Sequence, residues 1–445
     1  MENMDQTVIA TSLPAMALDL GTDPVTLKLA FTSYLLSLAV FIPVSGWTAD
    51  RFGARTIFQL AMLVFTLGSI GCGMAQSLTS LIVFRMLQGV GGAMMVPVAR
   101  LIILRLVPRS EMLTALAYLT MPALIGPVVG PPLGGFITTY WHWRWIFWIN
   151  VPVCLLGLVL AFLYLPVVRD AHRERLDWLG FILSATALSS LLFGVTLIGR
   201  ASVSWSLTLG LLMIGSVIAW LYMRHAKRTA HPILDLTLLA TPTFQSGVVG
   251  GGLFRIGIGA LPFLLPLLLQ LGFGFTPFQS GSLTFAAAAG AIVMKTTAKP
   301  ILGRFGFRQV LIANGIASAV FMAASGLFTA TTAPIIMLAV LLAGGFLRSL
   351  QFTALNAITF AEIEPERLSA ASSLASVAQQ LSSSLGVSIA AFVLEAAQHW
   401  HGETALRTDD FAIAFAVLSV ISALSVLVHA GLTPEAGNDL IPRPR

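Results

Sequence analysis

A short basic pattern that occurs twice, in a chain otherwise nearly free of charge, constrains the fold more than any other feature. Arg51-Phe52-Gly53-Ala54-Arg55 returns 253 positions later as Arg304-Phe305-Gly306-Phe307-Arg308. Inside apolar runs, Arg85-Met86-Leu87-Gln88 returns 263 positions later as Arg348-Ser349-Leu350-Gln351. The chain is 57% hydrophobic and 10% charged, more apolar than a soluble globule at about 45–50%. The two patterns therefore imply two related halves, each a bundle of helices embedded in lipid. Paired helical repeats with charges at membrane depth are how secondary carriers are built.

A spanning helix needs ~20 apolar residues to cross ~30 Å of hydrocarbon. The sequence offers fourteen such stretches: 4–20, 27–49, 56–75, 79–104, 112–137, 144–166, 179–199, 206–223, 243–271, 278–298, 308–330, 333–361, 368–396 and 410–431. The first is short, with Glu2, Asn3 and Asp5 crowding its start, so the natural start is expected about twenty residues upstream. The net charge of +6 reflects orientation, not nucleic-acid binding. Most Lys and Arg fall in alternate connections, while Lys28, Arg144, Arg200 and Arg407 fall on the other side. The positive-inside rule puts the basic connections, and with an even span count the C-terminus, in the cytoplasm. Cys72 and Cys154 belong to no disulfide or metal framework, and the seven histidines lack metal spacing.

The repeats join the second stretch to the tenth and the fourth to the twelfth. A plain duplication of six spans would give an offset of six, so two lipid-facing helices, 179–199 and 206–223, are inserted between the halves. The expected organisation is a six-helix bundle at 1–166, an inserted pair with its linkers at 167–242, and a second six-helix bundle with a short tail at 243–445.

Ionisable side chains at membrane depth are costly and mark function. Here they are Asp5, Arg85, Arg100, Arg255 and Arg348, with Asp5 the one carboxylate well inside a span apart from its neighbour Glu2. Burial raises a carboxylate pKa and a nearby arginine lowers it, so movement of Arg85 relative to Asp5 would switch a proton on and off. Four arginines against one aspartate leave an excess of positive charge that favours anionic, zwitterionic or neutral substrates over lipophilic cations. Gly89-Val90-Gly91-Gly92 follows no strand and lacks the Gly-Lys-Ser/Thr signature, which argues against nucleotide-driven transport. No Ser/His or His-Glu-x-x-His constellation supports an enzyme.

Four stretches carry a likeness to a known family: Asp5 to Pro14, Gly46 to Arg55, Arg85 to Ala93, and Gly126 to Gly135. The chain resembles the major facilitator superfamily, in its 14-span drug:proton antiporter branch (EmrB/QacA type), with the arrangement of the HsrA/MdtD-like bacterial subgroup. The resemblance implies an all-α polytopic membrane protein that exports small molecules against protons across the bacterial inner membrane by alternating access. It implies a monomer without cofactor, metal or nucleic-acid partner. Asp5 and Arg85 would couple protons, and Arg85, Gln88, Arg255, Arg348 and Gln351 would line the substrate cavity. Gly46, Asp50, Arg51, Gly53 and Arg55 would form a cytoplasmic latch, with Gly46 allowing close helix contact and the start of the thirteenth span, near Ser369, as partner. Gly126, Pro127, Gly130, Pro131, Gly134 and Gly135 match the antiporter pattern of the fifth span. Their small residues would seal it against a cross-bundle partner, the thirteenth span, which offers Ser372, Ser373, Ser382, Ser383, Ser384 and Gly386. The alternatives are a facilitator or importer of a small anionic or zwitterionic metabolite, and a non-transporting sensor or enzyme.

Overall fold

The computed structural model describes residues 2–106, 126, 129–166, 176–198, 204–229, 232–364, 367–401 and 406–437. Among the described residues every regular element is helical. Two short helices, α1 (Glu2–Ala10) and α2 (Leu13–Asp19), precede α3 (Lys28–Phe52), α4 (Ala54–Met74) and α5 (Leu78–Leu106). There follow α6 (129–140), α7 (Trp145–Trp148), α8 (Asn150–Tyr164), α9 (Trp178–Leu197) and α10 (Trp205–Ala226). The rest comprises α11 (Pro242–Gln245), α12 (Gly251–Gly259), α13 (Leu261–Leu267), α14 (Pro277–Gly326), α15 (Pro334–Thr359), α16 (Leu368–His401) and α17 (Thr408–His429). Two π-helical turns, Ser246–Gly250 and Leu268–Gly272, interrupt the α11–α13 region.

Eleven helices among the described residues are long and apolar enough to cross a membrane. The other three expected stretches each have a specific structural account. The 4–20 stretch is broken at Thr11 and Ser12 into α1 and α2. The 278–298 stretch lies within α14, which runs on through a kink at Gly306. Most of 112–137, including Pro127, lies outside the described residues, and its end continues into α6.

The chain divides into two compact units, Met1–Gly194 with Leu209–Leu234, and Val195–Thr208 with Asp235–Arg445. In the first, α4 and α5 pack along each other and α3 packs along α5. In the second, α14 packs against α15 and α17, and α12 against α16 and α17.

The repeated basic pattern has the same geometric cause in both units. Gly53 has φ 93° between α3 and α4, and Gly306 has φ 71° at the kink of α14. Only glycine enters that region without a Cβ clash, so each turn reverses the chain in minimal length. The arginine two positions on then binds within its own unit. An NH2 of Arg55 donates to the Phe162 carbonyl at 2.6 Å, and an NH2 of Arg308 to the Ala430 carbonyl at 3.1 Å. Each cation thus meets the carbonyl-rich C-terminal end of a helix, α8 or α17, where the backbone dipole favours positive charge. Beneath the first turn Ala49, Ala54, Ile57, Val98 and Ile102 form a buried apolar cluster.

One expectation changes here, and one glycine stripe gains a neighbour. Gly46 does not support a close helix contact, because it is exposed and a side chain there would meet open space. The glycines of the fifth span find their neighbour inside their own unit. A Cβ at Gly126 would stand 2.9 Å from the Met4 nitrogen, one at Gly130 2.0 Å from Thr7 Oγ1, and one at Gly134 2.4 Å from the Val8 carbonyl. Three glycines four residues apart make one helix face, and that face closes on α1. The small residues of α16 do the same for α12: a Cβ at Gly386 would stand 2.1 Å from the Ile256 carbonyl, and one at Gly259 2.7 Å from Ser383 Cα.

Helices α9 and α10 are tied at their ends. His225 Nε2 and Asp177 Oδ1 are 2.7 Å apart, joining α10 to the start of α9. Trp178 stacks edge-on against Trp47 of α3 at 5.8 Å. Outside the membrane spans, Asp235 accepts from Thr237 and from Arg367 at 2.5 Å. Burial alone would raise the Asp235 carboxyl, but these hydrogen bonds and the Arg367 charge bring it below its ordinary value.

Alanine at Gly53 should cost about 1–2 kcal/mol, because any Cβ is strained at positive φ. Gly46→Ala should be neutral. Thermal unfolding of the purified protein in detergent measures both, and equal midpoints for the two variants would contradict this geometry. The folded Asp235 pKa lies below the unfolded one. Its stabilising contribution is therefore complete above the ordinary carboxylate range and lost as pH falls through the lowered value. Arg367→Ala should flatten the acid dependence of the unfolding temperature below pH about 4.

Candidate functional site

Asp5 projects from α1, the short helix that the glycine face of the fifth span holds in place. It is 4% exposed, and its carboxylate receives three donors. Arg85 NH1 of α5 pairs with Oδ2, Gln88 Nε2 of α5 donates to Oδ1 at 3.1 Å, and Asn150 Nδ2 at the start of α8 donates to Oδ1 at 3.0 Å. Arg85 and Gln88 meet the same carboxylate because three residues on a helix bring side chains to one face. Arg85 NH1 also donates to Gln88 Oε1 at 2.7 Å, so the amide orients both partners.

Around this core a second layer completes the bonding. Asn150 Nδ2 also reaches Ser69 Oγ at 3.1 Å, and Ser69 donates to the Phe147 carbonyl at 2.8 Å. Arg85 is fully buried, donates through Nε to the Ala30 carbonyl at 3.3 Å, and lies 4.1 Å above the Tyr34 ring. Its NH2 has no hydrogen-bond partner. The Asp5 carboxylate thus accepts one charge-assisted bond from Arg85 and two amide bonds.

The second copy of the Arg-x-x-Gln pattern has a different environment. Gln351 is fully buried, but it faces α14, accepting from Asn314 Nδ2 at 2.9 Å and donating to the Leu311 carbonyl at 3.0 Å. It does not line open space, which corrects the expectation for that residue. Arg348 is half-buried and makes no ion pair among the described residues. Arg255 of α12 is 8% exposed; its NH2 donates to Asn356 Oδ1 at 3.3 Å, its NH1 to the Gly247 carbonyl at 3.5 Å, and its Nε has no partner. The Arg255 guanidinium lies 5.5 Å from the Phe352 ring centroid. Arg348, Phe352 and Asn356 follow at four-residue spacing on α15, so one helix face carries both Arg348 and the groups that hold Arg255.

Of the residues expected at the site, Asp5, Arg85 and Gln88 come together in the first unit. In the second, Arg255 lies against Phe352, on the α15 face that also carries Arg348. Gly53 forms the turn, Arg55 is bonded to Phe162, and Arg51 is exposed. Pro131 is half-buried and Gly135 buried on α6. Asn150 and Ser69 were missed, although a lone amide in the run Trp145 to Val153 is a signal at this hydropathy. Lys28 is fully buried at the first residue of α3.

Removing one member of a buried ion pair leaves the other uncompensated and costs about 3–5 kcal/mol. Arg85→Gln should therefore be more destabilising than the double variant Asp5→Asn with Arg85→Gln. A thermal-unfolding double-mutant cycle reads the coupling, and simple additivity would show that the pair is not energetically linked.

Comparison with known proteins follows the same division. The family model described as Major Facilitator Superfamily matches residues 1–247 and again 247–442. The proteins of Salmonella paratyphi B and Salmonella typhimurium named multidrug resistance protein MdtD are 37% identical over 448 residues, covering 99% of this chain and 94% of theirs. Among solved structures, a D-xylose-proton symporter superposes with a TM-score of 0.70 at 15% identity, covering 98% of this chain and 95% of that one. The human organic anion transporter MFSD10 gives 0.61 at 13%, covering 96% of each chain. At such identities the structures speak to the fold alone. The matched halves, the paired repeats and the membrane-depth charges together show that this chain belongs to the Major Facilitator Superfamily and is a multi-pass membrane transporter, not an enzyme.

Proposed function

We propose that this transporter exports small molecules, drugs among them, across the bacterial inner membrane in exchange for protons, with Asp5 and Arg85 as the coupling pair. The observation that carries this reading is the three-donor coordination of a buried carboxylate. In this reading Arg85 and a proton compete for the Asp5 carboxylate: substrate or a conformational step that draws Arg85 away admits the proton, and the return of Arg85 releases it. Proton entry at one step and loss at another then completes a cycle driven by ~2.3 kcal/mol per charge per 100 mV. The multidrug-resistance name of the relatives supports export.

In the second unit Arg255 and Arg348 supply positive charge with no paired carboxylate among the described residues. This favours anionic or zwitterionic substrates held against Phe352. Asp50 and Arg51 beside the Gly53 turn keep the latch role, with Arg55 anchoring that turn to α8. We further propose fourteen spans, a cytoplasmic C-terminus, bundles at 1–166 and 243–445 separated by the inserted pair at 167–242, and a functional monomer.

Inverted vesicles from an overexpressing strain test the reading. A panel of cationic, anionic and zwitterionic compounds should include members that trigger proton release in wild type and not in Asp5→Asn. Retention of that signal in the variant would move the proton site elsewhere. Arg348→Ala should lose the anionic members selectively, and an unchanged substrate profile would refute the assignment.

A further inference from the structure

Within the second unit, buried polar atoms without protein partners are concentrated along one seam. On α17, Ser422, Ser425 and His429 are each fully buried, and Ser422 Oγ, Ser425 Oγ and His429 Nε2 have no hydrogen-bond partner. On α14, which packs along α17, Asn314 Oδ1 and Ser318 Oγ are also unpartnered, at 6% and 2% residue exposure. Serines in helices ordinarily donate back to a carbonyl three or four residues earlier, as Ser419 does to Ala416 at 2.8 Å. Ser422 and Ser425 do not.

The spacing makes these atoms a continuous file. Residues 422, 425 and 429 lie on one face of α17 and span about 10 Å along its axis. A Cβ at Gly315 would stand 3.8 Å from Ser425 Oγ and 3.5 Å from Gln351 Nε2, which puts Ser425 beside the Asn314–Gln351 cluster. A Cβ at Gly257 would stand 2.7 Å from Ser422 Cβ, so the file's other end lies on α12, two residues beyond Arg255. Buried polar groups in native proteins are satisfied by protein or by internal water, and each such water makes about three hydrogen bonds.

His429 closes the file with a titratable ring. Its Nδ1 is 2.8 Å from Ser246 Oγ in the first π-helical turn, and its ring fills the space left by Gly250, where a Cβ would stand 2.5 Å from Cε1. The same turn contains Gly247, whose carbonyl accepts from Arg255. Ring and cation therefore hold the same five-residue turn, of the kind that recurs at functional sites. Among the described residues, the charged groups bonded to the segments that flank the ring are Arg308 of α14 at Ala430, Arg255 of α12 at Gly247, and Glu362 after α15 at Thr243, 2.9 Å. From α16, Ser382 approaches the neighbouring Gly252. Arg308 opposes a charged imidazole, while the C-terminal end of α17 favours one.

We propose that this seam is a water-filled proton path and that His429 is a second proton-binding site, independent of Asp5. Protons reach Nε2 through water bridging Ser425, Ser422, Asn314 and Ser318. Protonation changes the Ser246 contact and, through the π-helical turn, the hold on Arg255. The link to Arg255 rests on the transport reading above; the binding of the proton does not.

Histidine-nitrogen NMR of the labelled full-length protein in lipid nanodiscs tests this. The His429 signal is assigned by its loss in His429→Gln or, where that variant does not fold, by its displacement in Ser246→Ala. The ring should convert reversibly from neutral to protonated as pH falls from about 7 to about 3, in wild type and in Asp5→Asn alike. Valine at both Ser422 and Ser425 should slow solvent exchange at Nε2 at least tenfold, on the order expected for removing a hydrogen-bonded water path. A ring fixed in one protonation state over this range, or exchange as fast in the double valine variant as in wild type, would overturn the proposal. Because the signal is read without substrate, failure here and failure of Asp5 coupling are separate results.

Discussion

The buried contact between Asp5 and Arg85 is the interaction around which the first unit is assembled. An unpaired charge at that depth would cost several kcal/mol, so every element near it contributes a partner. Helix α5 brings Arg85 and Gln88, α8 brings Asn150, α4 brings Ser69, and α3 brings the Ala30 carbonyl and the Tyr34 ring. Even the glycines of the fifth span belong to this arrangement. By removing side chains from one helix face they allow α1, too short to be held by area alone, to seat its carboxylate against α5.

The second unit repeats the architecture without repeating the charge balance. Gly306 turns the chain as Gly53 does, and Arg308 caps α17 as Arg55 caps α8. The small residues of α16 close on α12 as those of the fifth span close on α1. Yet the position of Asp5 has no carboxylate counterpart on α12, which carries Arg255 instead. The consequence is a division of chemistry: one half neutralises its buried cation internally, and the other holds Arg255 by amide, carbonyl and ring contacts, with no ion pair to Arg255 or Arg348 among the described residues. Such contacts are weaker than ion pairs, which is why the proposed anion preference is assigned to this half.

Much of the site was legible before the structure. Asp5 and Arg85 stood out because charge is rare at this hydropathy, and Gly53 and Gly306 because the same glycine recurs in a repeated turn. Other residues were hidden because their type is ordinary in helices. Asn150, Ser69 and the Ser422–Ser425 pair become notable only when burial and bonding are known. Gly46 resembled a packing glycine by motif alone.

The sequence by itself determined the helical membrane architecture, the two related halves and the charges they carry. Each of these follows from composition and spacing along one chain, since lipid permits only internally bonded backbone. Tertiary structure decided which faces meet. A stripe of glycines specifies close approach without naming its neighbour, and for Gly126, Gly130 and Gly134 that neighbour is α1. An arginine likewise specifies positive charge without its counter-charge, and only packing distinguished the neutralised Arg85 from the uncompensated Arg255 and Arg348.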